Sequence, residues 1–195
     1  MVINKILIYL VLILTFNSQS LAKANDIRDF QIEGMSIGDS LLDYLKISKI
    51  KKKKSSNKKL KIVRASISNN LKTYDFVQFW WFEDDKDFKI VGIAGELEID
   101  NGLKGCKKKQ KEIASEIKNT LTEFTINENE NNYYDDRSGK SKVYHYALNF
   151  KNKDNINIQC YIFSKNYKKT KNMIDNLKVM IVTKEMDDHF NKAFR

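Results

Sequence analysis

The chain has 195 residues, with 35 basic and 25 acidic side chains, a formal net charge of +10, two cysteines and no proline. Its 42% hydrophobic and 11% aromatic content is enough for a packed core, which excludes a disordered tail. Two cysteines are too few for a cysteine-rich scaffold, and two histidines without an H-E-x-x-H pair leave a catalytic zinc site nothing to build on.

The first segment reads as an export signal. Lys5 and the α-amino group give a short positive region, and Ile6 to Phe16 is an uncharged apolar run. The polar stretch after it ends in Ala22-Lys23-Ala24, the small-x-small pattern that a signal peptidase accepts. As a helix the apolar run would span roughly 16 Å at 1.5 Å per residue, too short for a hydrocarbon core of about 30 Å. The first cysteine is Cys106, far from the cleavage point, so lipid attachment is not expected. Residues 1–24 are therefore expected to be a cleaved signal peptide, and 25–195 one mature domain, periplasmic or secreted from a bacterium. Loss of Lys5 and Lys23 lowers the net charge from +10 to +8. An AT-rich genome would produce the same abundance of lysine, asparagine and isoleucine, so the charge by itself does not define a partner.

Asp29 to Met35 reads as a short strand ending in a Gly34–Gly38 turn. A helix is predicted from Ser40, with Leu41, Leu42 and Leu45 as its apolar face and Ser40 and Asp43 at capping-box spacing. Lys46 to Arg64 holds ten basic residues and no acid, and residues 51–58 within it are expected to be the least ordered stretch of the domain. Tyr74–Phe82 and Phe88–Ile99 read as two strands of a hairpin around the acidic turn 83–87. In the first of these strands both side-chain parities are apolar, so both of its faces need cover.

A long helix is predicted from Gly102 and Gly105 to Phe124, followed by a polar loop over Asn127–Gly139. Val143–Phe150, Ile156–Phe163 and Met173–Val182 then read as three strands joined by Lys/Asn/Asp turns. A last helix carries Met186, Phe190 and Phe194 on one side. The predicted order is β-α-ββ-α-βββ-α: an α+β domain with an antiparallel sheet of five to six strands and helices on one face. Cys106 lies on the apolar helix stripe Ile113, Ile117, Leu121, Phe124, and Cys160 shares strand parity with Ile156, Ile158 and Ile162. Both sulfurs point to one core, so a disulfide is expected.

Residues 34–41 contain G-x-S-x-G, the nucleophile-elbow pattern. Gly38-Asp39-Ser40-Leu41 also resembles the signature of the GDSL (SGNH) esterases and lipases. That likeness implies Ser40 as nucleophile and His189 as base. Position 186, where the D-x-x-H block of that family carries aspartate, is Met186. The longer stretch Phe30-Gln31-Ile32-Glu33-Gly34-Met35-Ser36-Ile37-Gly38-Asp39-Ser40-Leu41-Leu42-Asp43-Tyr44 resembles the opening of small secreted bacterial proteins with no established activity. The same start resembles the strand–turn–helix opening of the SmpA-type assembly lipoproteins, without their lipobox cysteine.

His145 shares a strand parity with Val143 and Ala147 and reads as an ordinary sheet histidine. Glu83, Asp84, Asp85 and Asp87 lack the spaced ligands and turn glycine of a calcium loop. No phosphate-binding loop or dinucleotide fingerprint is present, and no cofactor or metal is expected. For an exported chain the polyanions available to Lys51, Lys52, Lys53 and Lys54 are envelope components and acidic proteins; nucleic acid is not expected. Phe79, Trp80 and Trp81 are a second candidate contact surface. The expected function is a non-catalytic exported or envelope-associated binding domain; the alternative is a secreted serine esterase using Ser40 and His189.

Overall fold

The computed structural model describes residues 26–50 and 61–193. The segment 1–24 read as an export signal, the 51–58 stretch with Lys51–Lys54, and Phe194 lie outside them. The strands are β1 (Ile62–Ile67), β2 (Phe76–Phe82), β3 (Gly92–Glu98), β4 (Phe124–Asn132), β5 (Lys142–Phe150), β6 (Asn155–Ile162) and β7 (Asn176–Val182). The helices are α1 (Ile47–Ile50), α2 (Gly102–Thr120), α3 (Lys165–Lys171) and α4 (Lys184–Ala193). The strands form one antiparallel sheet in the spatial order β1-β2-β3-β7-β6-β5-β4. The chain meanders through β1–β3, crosses on α2 to the far edge, meanders back through β4–β6, and closes the centre with β7. The fold is thus α+β with an antiparallel sheet, but with seven strands rather than five or six.

The differences from the predicted order have local causes. Asp29–Met35 is not a strand: Ile27–Asp29 is a 3-10 turn, and only an isolated bridge joins Ile32 to Met35. The helix predicted at Ser40 is a single 3-10 turn, Leu41–Asp43, because Leu41 is buried while Leu42 faces water. Ser40 does cap it, its Oγ accepting from Leu42 N at 3.2 Å. The end of the basic tract is β1, whose Ile62, Val63 and Ala65 are buried. The predicted polar loop is largely β4, paired with β5 from Phe124↔Phe150 to Asn132↔Lys142. Its Asn/Glu alternation has no apolar parity, because eight of its nine residues are exposed on the sheet edge. The turn after β6 contains α3, capped by Ser164 Oγ accepting from Tyr167 N at 3.2 Å.

The predicted hairpin is present, with Trp80 opposite Gly92 and Phe79 opposite Ile93. Its second strand starts at Gly92 rather than Phe88, since the preceding residues bond to the N-terminal segment instead: Leu41 N donates to Phe88 O and Ile90 N to Asp39 O. Asp85 closes the acidic turn by accepting from Asp87 N and Lys89 N, both at 2.9 Å.

The main core lies on one face of the sheet. Val77, Phe79 and Trp81 of β2 share it with Ile93, Leu177, Val179, Ile181, Ile156, Ile158 and Leu148, beneath Ile113, Ala114 and Ile117 of α2. Cys106 and Cys160 are bonded there with a Cα–Cα distance of 5.9 Å, pinning the first turns of α2 to β6. One turn later Gln110, 1% exposed, donates from Nε2 to Ile158 O at 2.6 Å and Tyr144 O at 3.1 Å. On the same face Gly95 leaves room for the Tyr74 ring; a Cβ there would lie 2.5 Å from it. The helices are not confined to one face. Met186 and Phe190 of α4 pack on the opposite one, against Trp80, Ala94, Val182 and Ile62. The reason is the doubly apolar β2: Trp80 alternates with Phe79 and Trp81, so it needs its own cover.

Candidate functional site

Beyond the end covered by α4, the second sheet face turns polar. Alternation within each strand places Glu96, Lys178, Gln159, His145 and Asn129 on it, and the register aligns them in one row across five strands: Glu96↔Lys178↔Gln159↔His145↔Asn129. A groove of about 480 Å³ is lined by Glu96, Lys178 and His145 of this row.

The floor is fixed by its own hydrogen bonds. Lys178 Nζ pairs with Glu96 Oε1 at 3.0 Å, donates to Gln78 Oε1 at 3.1 Å, and stands 5.5 Å from the centre of the Trp80 ring. Each of these contacts restrains an otherwise flexible side chain. Next to this cluster, Tyr161 Oη donates to Gln159 Oε1 at 2.8 Å, which orients the amide. Gln159 Nε2 therefore donates to His145 Nδ1 at 3.0 Å. That leaves the imidazole neutral, with its proton on Nε2. Burial first, and then the Lys107 charge, hold His145 below its ordinary range, in agreement with the neutral tautomer. Burial likewise pushes the Tyr161 phenol up, so it remains a donor.

One end of the groove is aromatic. Tyr133 packs at 5.1 Å from Phe163, 5.7 Å from Tyr167 and 6.0 Å from Tyr161, and its other neighbour Tyr134, at 5.1 Å, is 88% exposed. The loop carrying these tyrosines is held by Asp136. Its Oδ1 accepts from Ser138 N and Oγ, and its Oδ2 from Ser141 N, Ser141 Oγ and Ser164 Oγ. Those donors, the Ser141 and Ser138 hydroxyls foremost, hold the carboxyl well below the usual range. Tyr167 Oη adds a bond to Asp135 at 2.5 Å. At the β1 side stands exposed Arg64, which among the described residues has no carboxylate partner.

The other residues singled out in the sequence lie elsewhere. Ser40 Oγ donates to Asp87 O at 2.6 Å while capping its turn. His189 Nδ1 lies 3.1 Å from Glu185 O of its own helix, and its ring packs 4.7 Å from that of Phe82. No hydrogen bond joins Ser40 and His189. Phe79, Trp80 and Trp81 are buried, so this cluster is core and not a contact surface. Among the described residues no group of three His, Cys, Asp or Glu side chains is placed to hold a metal ion, the acidic turn included.

Of the groove residues only His145 stood out in the sequence. Lys178, Glu96, Gln159 and Tyr161 each sit singly in a strand, and their common feature is being the polar parity of an apolar strand. That signal places them on one face but does not give the register that aligns them.

The depressed proton affinity of His145 has a measurable consequence. As pH falls the unfolded chain binds this proton first, so the stability associated with His145 is fully present above an ordinary histidine pKa of about 6.5 and is lost as pH falls below it. Between about pH 7.5 and pH 5 the urea midpoint of the wild type is expected to fall further than that of His145→Gln. Equal falls would show that the imidazole titrates alike in both states.

Comparison of the chain with protein families, with curated proteins and with solved structures returns no match.

Proposed function

We propose that this chain is an exported, non-catalytic binding domain that takes its ligand in the groove on the polar sheet face. The observation that carries the reading is the register-aligned row of polar side chains from five strands, restrained by its own hydrogen bonds, with Glu96, Lys178 and His145 lining an open groove. Such a floor needs no rearrangement to receive a polar ligand, which reduces the entropic cost of binding. The groove volume falls within the roughly 300–1,000 Å³ of small-molecule sites. Export is supported by the Cys106–Cys160 bridge, since such bonds persist in oxidising compartments. Among the described residues no helix is long and apolar enough to cross a membrane.

The test is a ¹H–¹⁵N spectrum of the mature domain titrated with a chemically mixed panel of amino acids, short peptides, sugars, nucleotides and fatty acids. Ligand-dependent shifts are expected to cluster on residues 131–134, 143–145, 159–163 and 176–178. Shifts confined to other surfaces, or none with any compound, would overturn the reading.

A further inference from the structure

We infer that the groove is a site for an acidic saccharide, a short sugar chain bearing carboxylate groups; this rests on the groove being the ligand site. A sugar ring presents two chemically different surfaces. Its edge carries neighbouring hydroxyls that each donate and accept, and one flank is a patch of C–H bonds. The side chains suited to the edge are planar groups with paired polar atoms, and those suited to the flank are aromatic rings. The groove supplies both. Gln78, Asn131 and Asn176 line it with uncharged amides, while His145, whose Nδ1 is occupied by Gln159, keeps an Nε2–H donor.

Tyr134 supplies the ring. It is 88% exposed at the rim, yet it rests against Tyr133, which Phe163 and Tyr167 hold in place. A tyrosine left this exposed on a braced platform at the mouth of a polar groove is a surface on which a C–H flank can stack.

Charge decides between neutral and acidic sugars. Glu96 already neutralises Lys178, so the groove has no concentrated positive field of the kind that polyphosphates require. The remaining charge is Arg64, whose guanidinium presents paired donors that match a carboxylate. One such group beside a row of amides fits a sugar with one acidic substituent per ring.

The experiment is calorimetric and NMR titration of the mature domain at low salt with trigalacturonate, and with maltotriose as the neutral counterpart. Trigalacturonate is expected to bind the more tightly and to shift residues 131–134, 145 and 159–161. Tyr134→Ala should weaken trigalacturonate by about ten-fold or more. Arg64→Gln should abolish the preference for trigalacturonate over maltotriose. Both side chains are exposed, so the thermal midpoint is expected to stay unchanged in each variant, and binding is read on folded protein. Equal binding of the two sugars by the wild type, or trigalacturonate binding indifferent to both substitutions, would overturn the assignment. If short peptides shift the groove residues and neither sugar does, the saccharide assignment fails while the groove remains a ligand site. If no compound shifts them, both fail.

Discussion

Simultaneous Cys106→Ala and Cys160→Ala replacement is expected to lower the unfolding free energy of the protein by about 4 kcal/mol. The bridge closes a loop with a sequence separation of 54, and cross-linking a loop of that size removes about this much conformational freedom from the unfolded chain. The same bond ties α2 to β6 beside Gln110, so its loss also loosens the packing of this long helix on the main core. For a domain of this size the midpoint should fall by about 8–16 °C. Calorimetry of purified residues 25–195 checks this, and treating the wild type with a reductant should reproduce it. A fall under about 3 °C in both would show that the bridge adds little beyond the packing around it.

Phe79→Ala is expected to cost about 3–5 kcal/mol, as for other fully buried phenylalanines. Its ring is 0% exposed on the face beneath α2, and truncation leaves a cavity that neighbouring strands cannot close without breaking their ladders. This result separates the two readings that the run Phe79–Phe82 permits. A contact residue would lose binding and keep stability; a core residue loses stability first. Urea unfolding of Phe79→Ala beside Tyr134→Ala makes the comparison within one protein, because Tyr134 is exposed and its truncation should leave the midpoint unchanged. A cost below about 1 kcal/mol for Phe79→Ala would mean that the ring is not part of the packed interior.

Much of the fold was legible because burial imposes a period. The hairpin of β2 and β3, the strands β5, β6 and β7, the helix α2 and the Cys106–Cys160 pair all follow from apolar residues spaced at two or at three to four positions. Where burial is slight the signal disappears. β4 has no buried residue, so only its backbone ladder with β5 makes it a strand. α3 carries one buried residue, Tyr167, in seven. The segment Asp29–Met35 failed in the opposite way. Ile32 and Met35 are buried, but in a tight turn closed by their own bridge rather than in a strand, and no local pattern distinguishes the two.

The candidate groove shows the same division more sharply. By itself the sequence determined that the chain has a core, that two cysteines point into it, and that a strand such as β6 has an apolar and a polar parity. Those are properties of one element at a time, fixed by side-chain chemistry and backbone period. Tertiary structure alone decided that β7 lies between β3 and β6, and this placement sets Lys178 between Glu96 and Gln159. These contacts join residues 96, 159 and 178 through the register of three strands. A shift of one residue in any strand would turn its polar side chain toward the core, so the site is a property of the pairing rather than of any segment.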